Sequence, residues 1–363
     1  MATKVLLMIP TKRNGGIQTW AKGFLKSFPQ DEFIFTHIET APQRKKNNGL
    51  FIRVTTGLLA LSRQLIDTKK YFKNEKFDIM HRTTSGSLGA LADLIIGKYC
   101  HYHRTKNILH CHYGKIIEVL QSKGLIAWLT KKSMQQYDQI WVLDRKTLGF
   151  LKMQKDIKAS IYLTPNYINV ATNIPIAPKS YNRIAFIGNL YVEKGIIDLI
   201  KAMKMVPNDM TLDIVGDGDK AVKKQMMEQI GELYNQRIFL HGMLPHHEAM
   251  NFMAQTDILV LPTYYPSEAF PISILEAMSL GKLIISTNKG AIPDMLESNN
   301  GKCGIIVREK DPKNIADALQ WVFENKNKAD ELCMNAYRKV SSAYNTDIVF
   351  TLYKRLYKEL ITH

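Results

Sequence analysis

Apolar residues fall into two alternating patterns along the chain. Short apolar runs, which are typical of strands in a parallel sheet, are followed by longer segments in which apolar residues recur at helical spacing. This alternation predicts β–α units on a parallel sheet that is covered by helices on both faces. In the first half, strand-like runs lie at 5–9, 33–38, 77–81, 107–112, 139–143 and 161–163, and helical segments lie at 18–28, 51–72, 88–98, in a stretch that runs to 134, and at 146–153.

A second alternation of the same kind begins at 183–188. Between the two, residues 169–180 show neither pattern and contain Pro175 and Pro178, as linkers do. The later strand-like runs lie at 212–215, 238–240, 258–261, 283–286 and 305–307, and the later helical segments at 196–203, 220–234, 246–253, 272–279 and 315–323.

We therefore predict two doubly wound α/β domains at 1–170 and 181–345, joined by a linker at 171–180. A last helix is predicted at 346–363, after a break in the pattern. The pattern does not decide whether this helix crosses back to the first domain. Two such domains would leave a central cleft lined by the carboxyl ends of both sheets. Ligands bind at these ends in open α/β folds.

The turn after the apolar run 258–261 carries the most informative residues of the chain. Glu268 and Glu276 lie eight positions apart, and Pro271 falls where a helix would begin. A turn that opens a helix directs free backbone N–H groups at a ligand and so favours an anion. Because carboxylates repel phosphates, the two glutamates are expected to serve another part of the ligand, such as sugar hydroxyls. The sequence therefore predicts a nucleotide-sugar site at this turn.

The formal net charge of +16 is confined to one half of the chain. Residues 1–175 carry 27 Lys and Arg against 11 Asp and Glu, whereas the remaining residues carry 22 of each. Such asymmetry is typical of a protein that meets an anionic surface, either nucleic acid or the inner leaflet of a membrane. Solubility without any such partner is the alternative.

Two features favour a membrane over nucleic acid as the anionic surface. The basic clusters Arg44-Lys45-Lys46 and Lys69-Lys70 flank an apolar segment at 50–66, which fits a basic amphipathic helix on lipid headgroups. An ordinary helix that faces a core shows the same periodicity, so both interpretations stand. No segment approaches the ~20 consecutive apolar residues that span a bilayer. The four cysteines show no paired spacing, which fits reduced thiols in a cytoplasm. We expect a cytoplasmic protein that is peripheral at the inner face of the cell membrane.

Short motifs follow one another in a characteristic order along the chain. They are Gly15-Gly16, Asp78-Ile79-Met80-His81, the segment 108–114, Pro165-Asn166-Tyr167, the segment 186–190 with Lys194-Gly195, the segment 215–218, His241-Gly242, the Glu268 and Glu276 turn, and the segment 290–294. In these motifs the chain resembles the GT-B retaining glycosyltransferases, in particular the large family four that builds polysaccharides and glycolipids. The resemblance extends over nearly the whole chain and implies two Rossmann-like domains that face a central cleft.

The resemblance implies a role for each glutamate of the turn. Glu276 resembles the residue that accepts hydrogen bonds from both ribose hydroxyls, and a carboxylate suits a cis-diol because it accepts from two donors. Glu268 resembles the residue that holds the transferred sugar and faces the positive charge developing at its anomeric carbon. The backbone amides of Phe270, Ile272 and Ser273 would then face the sugar and the diphosphate.

Glycine-rich turns are implied to complete the donor site. Gly15 and Gly16 are expected to end the first strand and to let the backbone approach a phosphate or a sugar closely. By resemblance, Gly188 and Gly216 belong to the donor site of the second domain. Lys194 comes shortly after Gly188 and is implied to meet the diphosphate of the donor.

One position departs from the pattern of the family. Most members carry arginine where this chain has Asn189, so the site loses one cation. Either Lys194 carries more of the leaving-group charge, or Lys12 or Arg13 reaches across the cleft.

His112 lies in a histidine-rich stretch with His101, His103 and His110. His110 and His112 are alternate residues of a predicted strand, so both rings lie on one face, and such a pair can bind a metal. No carboxylate lies at a convincing spacing, however, and Cys111 would face the opposite way. By resemblance, His112 is the histidine of the first domain that hydrogen-bonds the donor sugar near the reacting centre.

The implied mechanism uses no metal and no other cofactor. Helix N-termini and Lys194 would neutralise the diphosphate, and the sugar would be transferred with retention through a front-face, oxocarbenium-like step. Glu268 and Glu276 do not form a glycosidase pair, which needs two carboxylates about 5–9.5 Å apart at one bond, because Glu276 is assigned to the ribose. His246 and His247 are predicted only to begin a helix.

The sequence thus predicts a retaining glycosyltransferase that moves a sugar from a nucleotide-sugar donor, with a UDP-sugar expected, to a lipid-linked or growing glycan in bacterial surface polysaccharide synthesis. A GT-B nucleotide-sugar epimerase or phosphorylase is an alternative, although the first needs carboxylates elsewhere and the second needs a pyridoxal lysine site that is not evident. A basic nucleic-acid-binding protein is the alternative from another class. No nucleic-acid partner is expected, because the chain has no recognised nucleic-acid module and its second half is neutral.

Overall fold

The computed structural model describes residues 2–12, 15–41, 50–87, 89–170 and 180–362, with the backbone alone at 50–54. Arg13, the basic cluster Arg44-Lys45-Lys46 and nearly all of the predicted linker lie outside the described residues. The chain divides into two compact units, which are Met1–Asn166 with Val349–His363, and Tyr167–Ile348.

The first unit is built on six parallel strands in the order β2-β1-β3-β4-β5-β6. The strands are β1 Thr3–Ile9, β2 Phe33–Glu39, β3 Ile79–Thr84, β4 Lys106–Cys111, β5 Gln139–Val142 and β6 Ser160–Leu163. The helices are α1 Gly16–Ser27, α2 Leu50–Asn74, α3 Gly89–Tyr102, α4 Ile116–Gln121, α5 Leu125–Met134 and α6 Arg145–Lys152. Because β2 and β3 lie on opposite sides of β1, the strand order reverses between β1 and β3.

The central strands of this sheet are buried on both faces. The side chains from Val5 to Ile9 are fully buried, and every residue of β3 is buried. Continuous apolar runs occur in parallel sheets because helices cover both faces. The first helix, α1, contributes Trp20, Ala21 and Phe24 to this core, and their spacing places them on one helical face.

The second unit is built on six strands in the order β14-β11-β10-β7-β8-β9, with a small antiparallel pair β12-β13. The strands are β7 Arg183–Ile187, β8 Thr211–Val215, β9 Ile238–Gly242, β10 Ile258–Leu261, β11 Leu283–Thr287, β12 Glu297–Ser298, β13 Gly301–Lys302 and β14 Ile305–Val307. The helices are α7 Ile196–Ala202, α8 Lys220–Ile230, α9 His246–Ala254, α10 Ile272–Ser279, α11 Ile292–Leu296, α12 Pro312–Glu324 and α13 Lys326–Lys339, with single turns at Val192–Lys194, Gly231–Leu233 and Val340–Tyr344. Strand order reverses between β7 and β10.

The last helix, α14 Thr346–Thr362, belongs from Val349 onward to the first unit. Its buried face includes Tyr353 and Tyr357. Trp20 Nε1 donates to Tyr353 Oη at 3.3 Å, and Gln139 Nε2 donates to Leu356 O at 3.2 Å. These contacts attach the end of the chain to α1 and β5. The predicted class, two doubly wound α/β domains with parallel sheets, is confirmed.

Candidate active site

The loops that follow β7 and β10 lie where the strand order of the second sheet reverses. Ligands of open α/β sheets bind at such a point, outside the carboxyl ends of the strands. Tyr264 N donates to Glu193 O at 2.7 Å, so the two loops are bonded to each other. Gly195 has a φ of 78°, and a Cβ there would overlap Pro262 O. Glycine therefore allows the loop after β7 to lie directly against the end of β10.

Lys194 and Glu268 form an ion pair across these two loops. Lys194 Nζ contacts Glu268 Oε2, and Thr263 Oγ1 donates to the same oxygen at 3.0 Å. Both charged side chains are mostly buried, and Lys194 Nζ also lies 5.4 Å from the centre of the Tyr265 ring. The resemblance assigns Lys194 to the diphosphate and Glu268 to the sugar. In the structure the two side chains pair with each other. Glu268 therefore balances the charge of Lys194.

Glu276 lies in the second turn of α10 and is buried. Its Oε1 accepts a hydrogen bond from His246 Nε2 at 2.7 Å. The hydrogen bond with Glu276 raises the pKa of His246, although partial burial acts in the opposite direction. His246 does begin α9, as predicted, but its contact with Glu276 was not foreseen. The only signal in the sequence is position, because His246 follows the carboxyl end of a strand of the same sheet.

The turn that carries Glu268 is supported from the side of β11. Gly290 has a φ of 52°, and a Cβ there would overlap Glu268 O and lie 2.5 Å from Ala269 O. Ala291 N donates to Ala269 O at 2.7 Å. The Phe270 ring is buried and packs edge-on against Tyr344 at 5.3 Å between centroids. Both contacts hold the turn in place before α10 begins.

The first turn of α10 carries two of the three amides that the resemblance implies. Pro271 precedes the helix, and Ile272 and Ser273 are its first two residues. The N–H groups of a first turn have no acceptor within their own helix. Because α10 starts next to Glu268, these two amides and the glutamate share one edge of the sheet. The Phe270 side chain faces the interior instead.

The loops after β7 and β8 lie against each other. Gly188 N donates to Val215 O at 3.0 Å, and a Cβ on Gly216 would overlap Gly188 O. Asn189 is half-buried, and its side chain has no hydrogen-bond partner among the described residues. Next to Gly216, Asp217 Oδ1 pairs with Lys223 Nζ at 2.5 Å. The structure thus collects Gly188, Asn189 and Gly216 at the same edge of the sheet as Lys194.

Gly15 and Gly16 lie at the carboxyl edge of the first sheet. They begin α1, with Gly15 as the residue before the helix, whereas β1 already ends at Ile9. The intervening Thr11 and Lys12 are held by Glu39, whose Oε2 accepts from the amides of both residues at 3.0 Å. The glycine pair therefore opens a helix rather than ending a strand, which corrects the interpretation of the pattern.

His112 follows β4 at the same edge. Its Nε2 is buried and has no hydrogen-bond partner within the described part of the chain. The ring lies 4.8 Å from the Trp20 ring and 4.1 Å from the His110 ring, between centroids. Burial lowers the pKa of His112 to about 3, so the ring is neutral at neutral pH.

Behind His112 lies a buried group of histidines. His81 Nδ1 and Tyr357 Oη are 2.6 Å apart, His81 Nε2 and His110 Nδ1 are 3.3 Å apart, and Thr164 Oγ1 lies 3.4 Å from His110 Nε2. Both rings are fully buried and lie near Trp141. Hydrogen bonding of this kind satisfies neutral imidazoles in a core.

Neither a metal cluster nor a membrane-spanning helix is found within the described ranges. No three His, Cys, Asp or Glu side chains there are placed to hold one metal ion. None of the helices described is long and apolar enough to cross a membrane.

Helix α2 carries the apolar segment whose periodicity fits either a core or a lipid surface. Leu58, Leu59 and Ile66 are 53%, 69% and 65% exposed. Leu65 packs against the core, and Arg63 Nη2 donates to Ala41 O at 3.0 Å. The helix therefore has a buried face as well as an exposed apolar face, and Arg63 belongs to the buried side.

Two solved structures share the fold of this chain. The chain is similar to sucrose-phosphate synthase of Thermosynechococcus elongatus, with a TM-score of 0.76 and 16% identity over 99% of both chains. It is also similar to HepE of Anabaena in a complex with UDP, with a TM-score of 0.74 and 15% identity over 99% of this chain and 100% of that one. The chain therefore has the GT-B fold, as predicted.

The second part of the chain matches a known family in sequence. Residues 171–339 match the family model described as Glycosyl transferases group 1. An uncharacterized glycosyltransferase of Methanocaldococcus jannaschii is 22% identical over 312 residues, which are 78% of this chain and 76% of that protein. The D-rhamnosyltransferase WbpZ of Pseudomonas aeruginosa is 27% identical over 161 residues, which are 44% of this chain and only 41% of WbpZ. Residues 171–339 thus match the group 1 glycosyltransferases, and the predicted enzyme class, a glycosyltransferase, is confirmed.

Proposed function

We propose that this glycosyltransferase acts with retention on a UDP-sugar and transfers the sugar to a lipid-linked or growing glycan in bacterial surface polysaccharide synthesis. The observation that carries the proposal is that Lys194, from the loop after β7, lies at one edge of the sheet with Glu268, Glu276 and the first amides of α10, which follow β10. HepE has been solved with UDP and with UDP-glucose. A relative of Bacillus subtilis is described as a putative teichuronic acid biosynthesis glycosyltransferase, and it is 23% identical over 40% of its length.

The proposed donor contacts divide the nucleotide sugar among these groups. Glu276 accepts from the ribose hydroxyls, and the amides of Ile272 and Ser273 face the diphosphate at the N-terminus of α10. Lys194 supplies the cation, and Glu268 holds the transferred sugar. His112, with a neutral ring and a buried Nε2, hydrogen-bonds the same sugar.

In the proposed step, the bond between the anomeric carbon and the diphosphate oxygen breaks, and a bond to the acceptor oxygen forms on the same face. The acceptor proton passes to the leaving phosphate oxygen. Positive charge develops on the sugar, where Glu268 stabilises it, and negative charge develops on the diphosphate, where Lys194 stabilises it. No metal or other cofactor takes part, because Lys194 and the N-terminus of α10 neutralise the leaving group.

Slow hydrolysis of the donor tests this proposal without any knowledge of the acceptor. We expect one member of a panel of nucleotide sugars to be hydrolysed by the unmodified chain, with UDP-sugars preferred. Glu268→Ala should lower the rate about a hundredfold, since it removes the carboxylate that faces the developing positive charge. If no nucleotide sugar is turned over, or if Glu268→Ala leaves the rate unchanged, the proposal is wrong.

We further propose that the first unit rests on an anionic membrane. The exposed apolar face of α2 continues toward its C-terminus into Lys69, Lys70 and Lys73, which are also exposed. Apolar side chains next to lysines suit the boundary between acyl chains and anionic headgroups. The excess positive charge of residues 1–175 adds a long-range attraction to the same surface. Such a position would bring the enzyme to a lipid-linked acceptor.

Vesicle binding tests the membrane proposal. The unmodified chain should bind phosphatidylglycerol vesicles in a salt-dependent manner and should bind neither phosphatidylcholine vesicles nor duplex oligonucleotide. Leu59→Glu with Ile66→Glu should weaken vesicle binding about tenfold or more, because two apolar contacts are lost and two negative charges are added. Met205→Glu, at an exposed apolar position of the second unit, is the matched control and should have no effect. Tighter binding to the oligonucleotide than to the vesicles would favour the nucleic-acid alternative.

A further inference from the structure

The contact between His246 and Glu276 joins residues of very different exposure. The His246 side chain is 68% exposed, whereas that of Glu276 is 10% exposed, yet Nε2 and Oε1 are only 2.7 Å apart. His246 therefore covers the carboxylate from the solvent side. Among the described residues, no other side chain bonds to the Glu276 carboxylate.

The start of α9 does not explain this arrangement. The N-terminus of a helix disfavours a positive charge, so a histidine that is drawn toward protonation is out of place there. Its neighbour His247 lies at the same helix end and makes no contact with Glu276, so it serves as a comparison. His247 Nε2 is 3.8 Å from Glu248 Oε1, and both side chains are exposed. The short contact of His246 thus belongs to Glu276 and not to the helix.

The hydrogen bond leaves the carboxylate able to accept from a diol. A carboxylate has about four lone-pair positions on two oxygens. His246 occupies one position on Oε1, so the other position on Oε1 and both positions on Oε2 remain for two hydroxyls. Without His246, the Glu276 side chain has no described partner that fixes its rotamer. Ligand binding would then have to order this side chain, and the lost conformational entropy would weaken the affinity.

We propose that His246 is a positioning residue for the nucleotide: its Nε2–H holds the Glu276 carboxylate in the orientation that accepts the ribose hydroxyls. The inference rests on the proposed function, since it assigns Glu276 to a ribose. It adds a residue from α9 to the donor site. It also predicts that His246 acts on binding of the nucleotide and not on the transfer step, because it contacts no reacting atom.

Calorimetric titration of the full chain with UDP, and with GDP and ADP in parallel, tests this inference. His246→Ala should weaken binding of the preferred nucleoside diphosphate about tenfold, as expected for loss of a hydrogen bond to a charged group. His246→Gln keeps an N–H donor and should recover most of this loss, while His247→Ala, the matched control, should change nothing. In donor hydrolysis, His246→Ala should raise KM by the same factor and leave kcat unchanged.

A ligand that lacks one ribose hydroxyl separates the proposed role from a general effect on folding. The 2′-deoxy form of the same nucleotide should bind the unmodified chain more weakly than the parent nucleotide. His246→Ala should then reduce the affinity for the 2′-deoxy form by a smaller factor than it reduces the affinity for the parent nucleotide. In a Glu276→Ala background, His246→Ala should cause no further loss of nucleotide affinity. Equal losses for both nucleotides, or an effect of His247→Ala as large as that of His246→Ala, would refute the positioning role. Failure of the unmodified chain to bind any nucleoside diphosphate would instead refute the proposed function, and the inference with it.

Discussion

Lys194→Met is expected to lower turnover of the nucleotide sugar about a hundredfold to a thousandfold. Its ammonium group is the cation that the structure places next to Glu268 at the edge of the second sheet. Loss of one preorganised group that stabilises charge in a transition state commonly costs about 3–4 kcal/mol. Asn189 carries no charge, so it offers no compensation. Turnover is measured as donor hydrolysis with saturating nucleotide sugar.

The same substitution should also destabilise the second unit, by about 3–5 kcal/mol, because it leaves the buried Glu268 carboxylate without its partner. The double variant Lys194→Met with Glu268→Gln removes both charges and should recover most of the stability but none of the turnover. Urea unfolding and donor hydrolysis of the three variants therefore separate the structural effect of the pair from its effect on catalysis.

Lys223→Met is the matched control for this experiment. Lys223 also pairs with an aspartate near the carboxyl end of a strand, but its side chain is more than half exposed. An exposed ion pair contributes about 0–1 kcal/mol, so the stability should change little. If Lys223→Met were as damaging as Lys194→Met, or if the double variant regained turnover, Lys194 would not be the cation of the leaving group.

The strands were the part of the fold that the sequence could predict. Each buried strand of a parallel sheet is a continuous apolar run: the run at 258–261 coincides with β10, and the run at 5–9 lies within β1. The order of the strands is not encoded in such runs, because every central strand has the same pattern. The reversals between β1 and β3 and between β7 and β10 therefore emerge only from the structure.

Helix α13 was missed for a related reason. Its sequence is mostly polar, and its buried face is formed by Ala329, Cys333, Asn335 and Ala336. Small residues and an asparagine do not produce a clear apolar stripe, although they let the helix pack closely against α10 and β11. Small buried residues thus hide a helix from an analysis that counts large apolar ones.

The candidate site was predicted in its residues but not in its contacts. Resemblance assigns Glu268 and Glu276 to parts of a ligand, and it is silent about what they touch in the protein itself. Lys194 lies 74 positions from Glu268, and His246 lies 30 positions from Glu276. Lys194 and Glu268 meet because they follow the neighbouring strands β7 and β10, whereas His246 and Glu276 follow β9 and β10, which are not neighbours but end at the same edge of the sheet.

Lowering the pH from 7.5 to 5.5 is expected to destabilise the first unit by about 4 kcal/mol. Burial lowers the pKa of His81 to about 3, with a further contribution from His112, and lowers the pKa of His112 to about 3. Burial also lowers the pKa of His110 well below its ordinary value. The three rings are therefore neutral in the folded unit throughout this range.

The sign of the effect follows from proton binding. In the unfolded chain these histidines have pKa values near ~6.5 and take up protons as the pH falls through that value. The unfolded state then binds more protons than the folded state, so the free energy of unfolding decreases toward low pH. Each histidine contributes about 1.4 kcal/mol at one pH unit below its unfolded pKa. The stabilisation is complete above pH ~6.5 and is lost progressively down to pH ~3.

Urea unfolding followed by tryptophan fluorescence measures this effect. Trp20 and Trp141 are fully buried and lie beside the histidines, so their emission reports on the first unit. His81→Gln removes one titrating ring and keeps a hydrogen-bonding side chain near Tyr357, so it should reduce the loss between pH 7.5 and 5.5 by about 1.4 kcal/mol. His101→Gln, on the exposed end of α3, is the control and should leave the pH dependence as it is. If His81→Gln and His101→Gln gave the same pH dependence, the buried histidines would not be the source of the acid sensitivity.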